Sequence, residues 1–380
     1  MKTYDLIVIG SGITGAALAY ELVKTGFSVL LLEKDAKPEN ATRYSYGGLA
    51  YWSGTTPLTR QLCQEAIARY QVLSSELNAD IELRELDLLL TISADSDPQA
   101  TAKLYAQCAV PPHLLSISEA CELEPLLNRE AIAGALTVKH GHIHPEKTAQ
   151  AYIQAFIRHG GKLEIAEVVQ ILANGVNTTN GTYHSANVVV CAGGLSRQLL
   201  KAAGIPIKLY FTHAEIIATA PVDLQLRSLI MPAHLQRFQL ESASTQDDQL
   251  WNQPSHQPVS PILDAGAVQF LDGSLRLGQI SRILTDADAQ VNAQESEYWL
   301  RQSIKKVLPA LGNLPGTWHH CLVAFSSNSL PLIGSIPGFP GVHIFSGFSN
   351  PLVFVPPLAQ RFAQYLTGNQ DEIITQLSPN

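Results

Sequence analysis

Asp5-Leu6-Ile7-Val8-Ile9-Gly10-Ser11-Gly12-Ile13-Thr14-Gly15-Ala16-Ala17 opens the chain, and Ser28-Val29-Leu30-Leu31-Leu32-Glu33 follows it. Together these stretches predict a strand, a glycine turn, a helix, and a second strand ending in an acid. Each part suits a dinucleotide. Gly10 makes the sharp turn, Gly12 lets backbone approach a pyrophosphate, and Gly15 lets the helix pack close on the strands. The free N–H groups at the helix start, those of Ile13 and Thr14 among them, face the phosphates, where the helix dipole favours negative charge. Glu33 stands at the distance expected of an acceptor for both hydroxyls of an adenosine ribose without a 2′-phosphate. Ala16, Ala17 and Ala19 keep the helix thin on its packed side.

The chain has 380 residues, 46% of them hydrophobic, enough for two domains with their own cores. A net charge of -8 argues against a nucleic-acid partner. Cys63, Cys108, Cys121, Cys191 and Cys321 show no CxxC spacing, so neither a disulfide framework nor a zinc site is expected. A reducing cytoplasm fits. No run of about 18 apolar residues suggests a membrane span, which leaves peripheral membrane contact open.

Beyond Glu33, spacing predicts helices over about 57–77, from Pro145 to Gly160, over 297–307 and from about Pro357 to Leu366. Strands are expected at 81–92, 163–172, 186–191, 205–218, 267–271, 274–280 and 342–345. The stretch Glu241 to Pro261, rich in Ser, Gln, Asp, Asn and Pro, reads as a long loop, disordered or an active-site lid, with plain mobility favoured because nothing in it carries obvious chemistry. His140, His142 and His144 alternate, as a metal site on a strand would. Pro145 breaks that pattern, and a turn followed by a helix cap is expected instead.

Three further segments choose among dinucleotides. Thr42-Arg43-Tyr44-Ser45-Tyr46-Gly47-Gly48 resembles the loop beside the flavin in the D-amino-acid oxidase, sarcosine oxidase and glycine oxidase superfamily. Val188 to Ser196 resembles that family's strand returning to FAD. Leu330-Pro331-Leu332-Ile333-Gly334 with Gly341 to Ser349 resembles its closing segment. The resemblance covers nearly the whole chain. It implies an α/β protein: a Rossmann-like FAD-binding domain with an inserted α+β substrate domain on a mainly antiparallel sheet. The implied boundaries are 1–80, 140–205 and 318–380 for the FAD domain, with 81–139 and 206–317 for the substrate domain.

The implied FAD contacts are Gly10, Gly12, Ile13, Thr14 and Gly15 at the pyrophosphate, Glu33 and Lys34 at the ribose, and Val168 on the adenine-side strand. Arg43, Ser45, Gly47, Gly48, Ala192 and Gly193 would follow along the cofactor. Gly347, Phe348, Ser349, Asn350 and Leu352 would close on the flavin. Cys321 matches the place where monomeric sarcosine oxidases carry a cysteine joined to the flavin. No metal is expected.

Two departures matter. The family's carboxylate-gripping Arg is replaced by Val323, which leaves an ordinary amino-acid substrate without its partner. Asn350-Pro351-Leu352 stands where Gly-x-Gly is usual, and Leu352 would add bulk near the ring. Tyr46, Tyr51, Tyr210, His213, Arg276 and Arg282 are the substrate-cavity candidates, with the two arginines as substitute cations. The expected activity is hydride transfer from an amine-type C–N substrate to flavin, with oxygen or another carrier as electron acceptor. The alternative is a flavoprotein without amino-acid turnover, serving as an assembly or binding subunit.

Overall fold

The computed structural model describes residues 3–253 and 256–379. β1 (Thr3–Ile9), α1 (Ile13–Lys24) and β2 (Val29–Glu33) form the predicted strand–turn–helix–strand unit. They belong to a sheet ordered Leu332–Ser335, Val342–Ser346, Gly181–Val190, β1, β2, Lys162–Ile165. Its strands run parallel except Leu332–Ser335 at one edge. Val168–Leu172 and Gly175–Thr178 join antiparallel beside Gly181–Val190. All five residues of β2 are buried, as expected of a central parallel strand covered on both faces. α1 packs on one face with the helices Pro145–Arg158 and Pro351–Leu366.

The second sheet is ordered Thr317–Ser326, Leu209–Ala218, Leu275–Arg282, Ile262–Gln269, Ser228–Pro232, Arg84–Ser93, Ile132–His142, Gly48–Leu49. His113–Leu115 pairs with Ile132–His142. Every pairing is antiparallel except that of Ser228–Pro232 with Arg84–Ser93. The helix Ala293–Val307 covers its outer face, where Leu300 and Ile304 bury against Ile217, Leu277 and Ile280.

Several sequence expectations change, the strand expected at 163–172 among them, which is two strands, Lys162–Ile165 and Val168–Leu172. Thr317–Ser326 falls in the stretch given to the FAD domain, yet it hydrogen-bonds along Leu209–Ala218 in the second sheet. Glu241 to Pro261 is not a plain loop over its described residues, which leave out 254 and 255. The helix Gln236–Ser244 enters it, a 3-10 turn follows at Asp248–Asn252, and Trp251 buries against Tyr210 and Phe211. His140 and His142 lie on a strand, and only His144 caps a helix. Finally, the last helix starts at Pro351, with Pro356 and Pro357 inside it. Pro356 has no N–H for the Leu352 carbonyl, and Tyr70 Oη donates to that oxygen at 2.6 Å instead.

Candidate active site

The parallel strands present their carboxyl ends along one edge, where ligands bind in open α/β sheets. Gly10 follows β1, Glu33 ends β2, Cys191-Ala192-Gly193 follows Gly181–Val190, and Gly347 follows Val342–Ser346. Close approach sets the glycines. Gly10 adopts φ +99°, and a Cβ there would lie 2.7 Å from the Cys191 carbonyl oxygen. A Cβ on Gly15 would lie 1.9 Å from the Gly10 carbonyl oxygen. Gly12 caps α1 without a side-chain hydrogen bond, but the Ile13 N–H expected to face the phosphates is taken by Thr42 Oγ1 at 2.9 Å, which leaves the next amides available. Among the described residues, Thr14 N–H and Gly15 N–H have no protein partner. Glu33 Oε2 accepts from both the Ser11 N–H and Ser11 Oγ at 2.8 Å, which draws the acid to the turn. Such a cradle fits a dinucleotide.

The short helix α2 (Ala41–Tyr44) links this cradle to the second sheet. Ile13 N–H donates to Thr42 Oγ1 at 2.9 Å. Two residues on, Tyr44 packs with Ala214, Ile216 and Cys321 on the sheet's inner face, and Tyr46 and Val323 lie against that group. The Tyr44 hydroxyl donates to Glu39 and its ring stacks on His319 at 4.5 Å. Arg43 pairs with Glu39 at 2.8 Å. Gly47 and Gly48 let the loop lie flat: their Cβ atoms would meet the Ile143 carbonyl oxygen at 2.2 Å and His140 Nε2 at 2.4 Å. This closeness brings the Tyr46 carbonyl within 2.9 Å of His142 Nε2, while Arg84 Nε donates to His142 Nδ1. Burial, aided by Arg84, pushes the His142 pKa down to about 3, and burial takes His140 to about 4. Trp52 Nε1 donates to His140 Nδ1 at 3.0 Å.

The cavity candidates divide. Tyr46 donates to the Gly278 carbonyl at 2.6 Å, anchoring the loop on the sheet. Arg276, with its guanidinium 5.3 Å from the Phe270 ring, pairs in register with Ala218 and shares the inner face. His213 and Arg282 do not. They point toward the covering helix, where Arg282 Nε donates to Glu215 Oε1 at 2.6 Å and Nη2 to Ser296 Oγ. His213 stacks on His320 at 4.6 Å. Tyr210 donates to Asp248 within the Trp251–Phe325 cluster. The Tyr51 ring packs beside Tyr70 with the nucleotide-binding core. Leu352 buries in that same core, so its bulk turns inward. Cys321 is enclosed, and burial pushes its thiol up to about 12.

Sequence reading missed Arg237, Glu241 and Asp264. Arg237 Nε donates to Glu241 Oε1 at 3.0 Å, and Thr212 Oγ1 donates to that same oxygen at 2.9 Å. Burial opposes the Arg237 charge, yet Glu241 and Asp264 outweigh it and hold the pKa above its ordinary value. Asp264 is raised by burial despite His234 and Arg237. His234 Nε2 stands 3.3 Å from Asp264 Oδ1 without hydrogen-bond alignment, leaving that oxygen unpartnered. An Arg and a Glu four residues apart, Arg237 before the polar segment and Glu241 at its first position, were the available signal.

A family model described as FAD dependent oxidoreductase (DAO) matches residues 5–365. The chain belongs to this family. FAD is accordingly its cofactor. The chain is 29% identical over 238 residues to glycine oxidase of Geobacillus kaustophilus, covering 58% of this chain and 63% of that protein. It is 31% identical over 223 residues to monomeric sarcosine oxidase of Streptomyces avermitilis, covering 54% and 56%. The matched stretch therefore spans less than two thirds of either relative. The crystal structure of the Geobacillus kaustophilus glycine oxidase superposes with a TM-score of 0.76 at 21% identity, covering 98% of this chain and 96% of that one. At that identity the likeness shows the fold. Among the described residues, no helix is long and apolar enough to cross a membrane.

Proposed function

We propose that this DAO-family protein oxidises an amine-type substrate, removing hydride from a carbon bonded to nitrogen. One observation carries the reading. Thr42 touches the glycine cradle, and Tyr44, two residues on, forms part of the second sheet's inner face. A cofactor seated in the first would thus end beside the second. FAD, when bound, accepts the hydride and passes electrons to oxygen or another carrier.

The Gly10–Gly15 turn and the start of α1 would hold the pyrophosphate, and Glu33 would exchange its Ser11 contacts for ribose hydroxyls. Tyr46, fixed by its bond to Gly278, would hold the loop Ser45–Gly48 against the sheet. Tyr44, Cys321 and Val323 form an apolar wall that excludes water from the reacting carbon. The alternative of a non-catalytic subunit rests on Val323 and on the Asn350-Pro351-Leu352 segment; the inward turn of Leu352 removes one part of that support and leaves Val323. The net charge of -8 and the unpaired cysteines support a cytoplasmic setting and a small-molecule partner rather than nucleic acid.

Anaerobic mixing of the FAD-loaded protein with a panel of amines, amino acids and hydroxy acids tests the proposal. At least one amine should bleach the flavin absorbance while hydroxy acids leave it intact. A flavin that dithionite reduces but no amine does would favour the binding-subunit reading.

A further inference from the structure

The second sheet's inner face is apolar around Cys321, but it carries a polar cluster one register step away. Thr212 pairs directly with Val323, the position that lacks the expected cation. Above that pair, Thr212 and Arg237 both donate to Glu241 Oε1. Thr212 is fully buried and Glu241 is 5% exposed, so this mount is rigid. It fixes the guanidinium through Nε. Among the described residues, neither Nη of Arg237 has a protein partner. The side chain remains 32% accessible, so its two Nη groups are open to a ligand.

We propose that Arg237 holds an anionic group of the substrate, so the substrate is an amine that also carries a carboxylate or comparable anion. This rests on the amine-oxidation reading above. A planar guanidinium anchored through Nε presents its two Nη groups as a fork matched to two carboxylate oxygens. Asp264, 8% exposed with Oδ1 unpartnered, is an acceptor beside the guanidinium and would meet the donor end of the same substrate, its amine, rather than the anion. Unpaired polar groups beside an apolar wall are costly unless a ligand completes them. The other candidate cations fit less well. Arg282 is bound to Glu215 and Ser296 on the far face. Arg276 lies over Phe270 with Nη1 on the neighbouring Leu275 carbonyl, and burial lowers its pKa.

Propionate and its neutral isostere propionamide are suitable unreactive probes. Their affinities for the FAD-loaded protein can be read by flavin absorbance shifts and calorimetry, beside flavin content and melting temperature. The wild type should prefer propionate by about 10- to 100-fold, the range expected of a charge-assisted contact. Arg237→Met should abolish that preference with propionamide affinity unchanged, and Arg237→Lys should retain part of it. No preference in the wild type overturns the inference, so the test survives a variant that fails to fold. Preference kept in Arg237→Met, or lost in Arg276→Met instead, also overturns it. A protein that takes up no FAD refutes the amine-oxidation reading, while the calorimetric preference still decides the role of Arg237.

Discussion

The glycine cradle and the second sheet's inner face lie a few residues apart along α2, yet they are built on opposite principles. The cradle works through backbone: Gly10, Gly12 and Gly15 leave amides open, and one side chain, Glu33, is drawn to the turn. The inner face works through side chains gathered from distant strands, with Tyr44, Ala214, Cys321 and Val323 forming an apolar patch and Arg237 mounted beside it. Backbone chemistry serves any dinucleotide and tolerates little change. Side-chain chemistry sets the substrate and can be redrawn residue by residue.

Gly15→Ala should do the greatest damage, because the new Cβ would overlap the Gly10 carbonyl oxygen at 1.9 Å. We expect a loss of about 3 kcal/mol or more, with flavin retention lost alongside, read by denaturant unfolding and absorbance. An unchanged melting temperature would show that α1 can move off β1, and the backbone account of the cradle would fail.

Acid should act next, through the loop that joins the two regions. His142 and His140 are neutral in the fold, with pKa values near 3 and 4, while an unfolded histidine protonates near 6.5. The unfolded chain binds more protons below that point. Their contribution is therefore complete above about pH 6.5 and falls with pH toward 3–4, by a few kcal/mol in all. Thermal melting from pH 7 to pH 4 measures it, and His142→Gln should flatten the profile. A variant as acid-sensitive as the wild type would place the titration elsewhere.

Glu33→Ala should weaken FAD retention by about 1.5–3 kcal/mol, since the ribose hydroxyls lose a charged acceptor. Equilibrium dialysis against FAD tests this, and an unaltered affinity would leave Glu33 as a partner of Ser11 alone. The smallest effect is expected at Cys321. A thioether to flavin would begin from a thiolate, and burial takes this thiol up to about 12. Acid precipitation should release the yellow colour to the supernatant from wild type and Cys321→Ser alike. Colour retained in the wild-type pellet and lost with Cys321→Ser would show the bond and sharpen the boundary between the two regions.

Legibility in the sequence followed the same division. The first strand, turn, helix and second strand could be read because all their determinants fall within about thirty consecutive residues. The family's later segments could be read for the same local reason. The inner face could not, because alternation along Leu209–Ala218 separates two faces without saying which is covered. The helix Ala293–Val307 decides that: it buries Ile217 and so turns His213 and Arg282 away from Ala214 and Cys321.

By itself, then, the sequence determined the nucleotide cradle, the parallel sheet and the absence of an arginine at Val323, all properties of residues near one another in the chain. Only the tertiary structure decided that Leu352 turns inward, with its carbonyl taken by Tyr70 from 282 residues away, and that Arg237 stands beside Thr212 and Val323. Such contacts arise because unpaired polar groups and apolar surface must find partners wherever the fold supplies them, and no local pattern names a partner so remote.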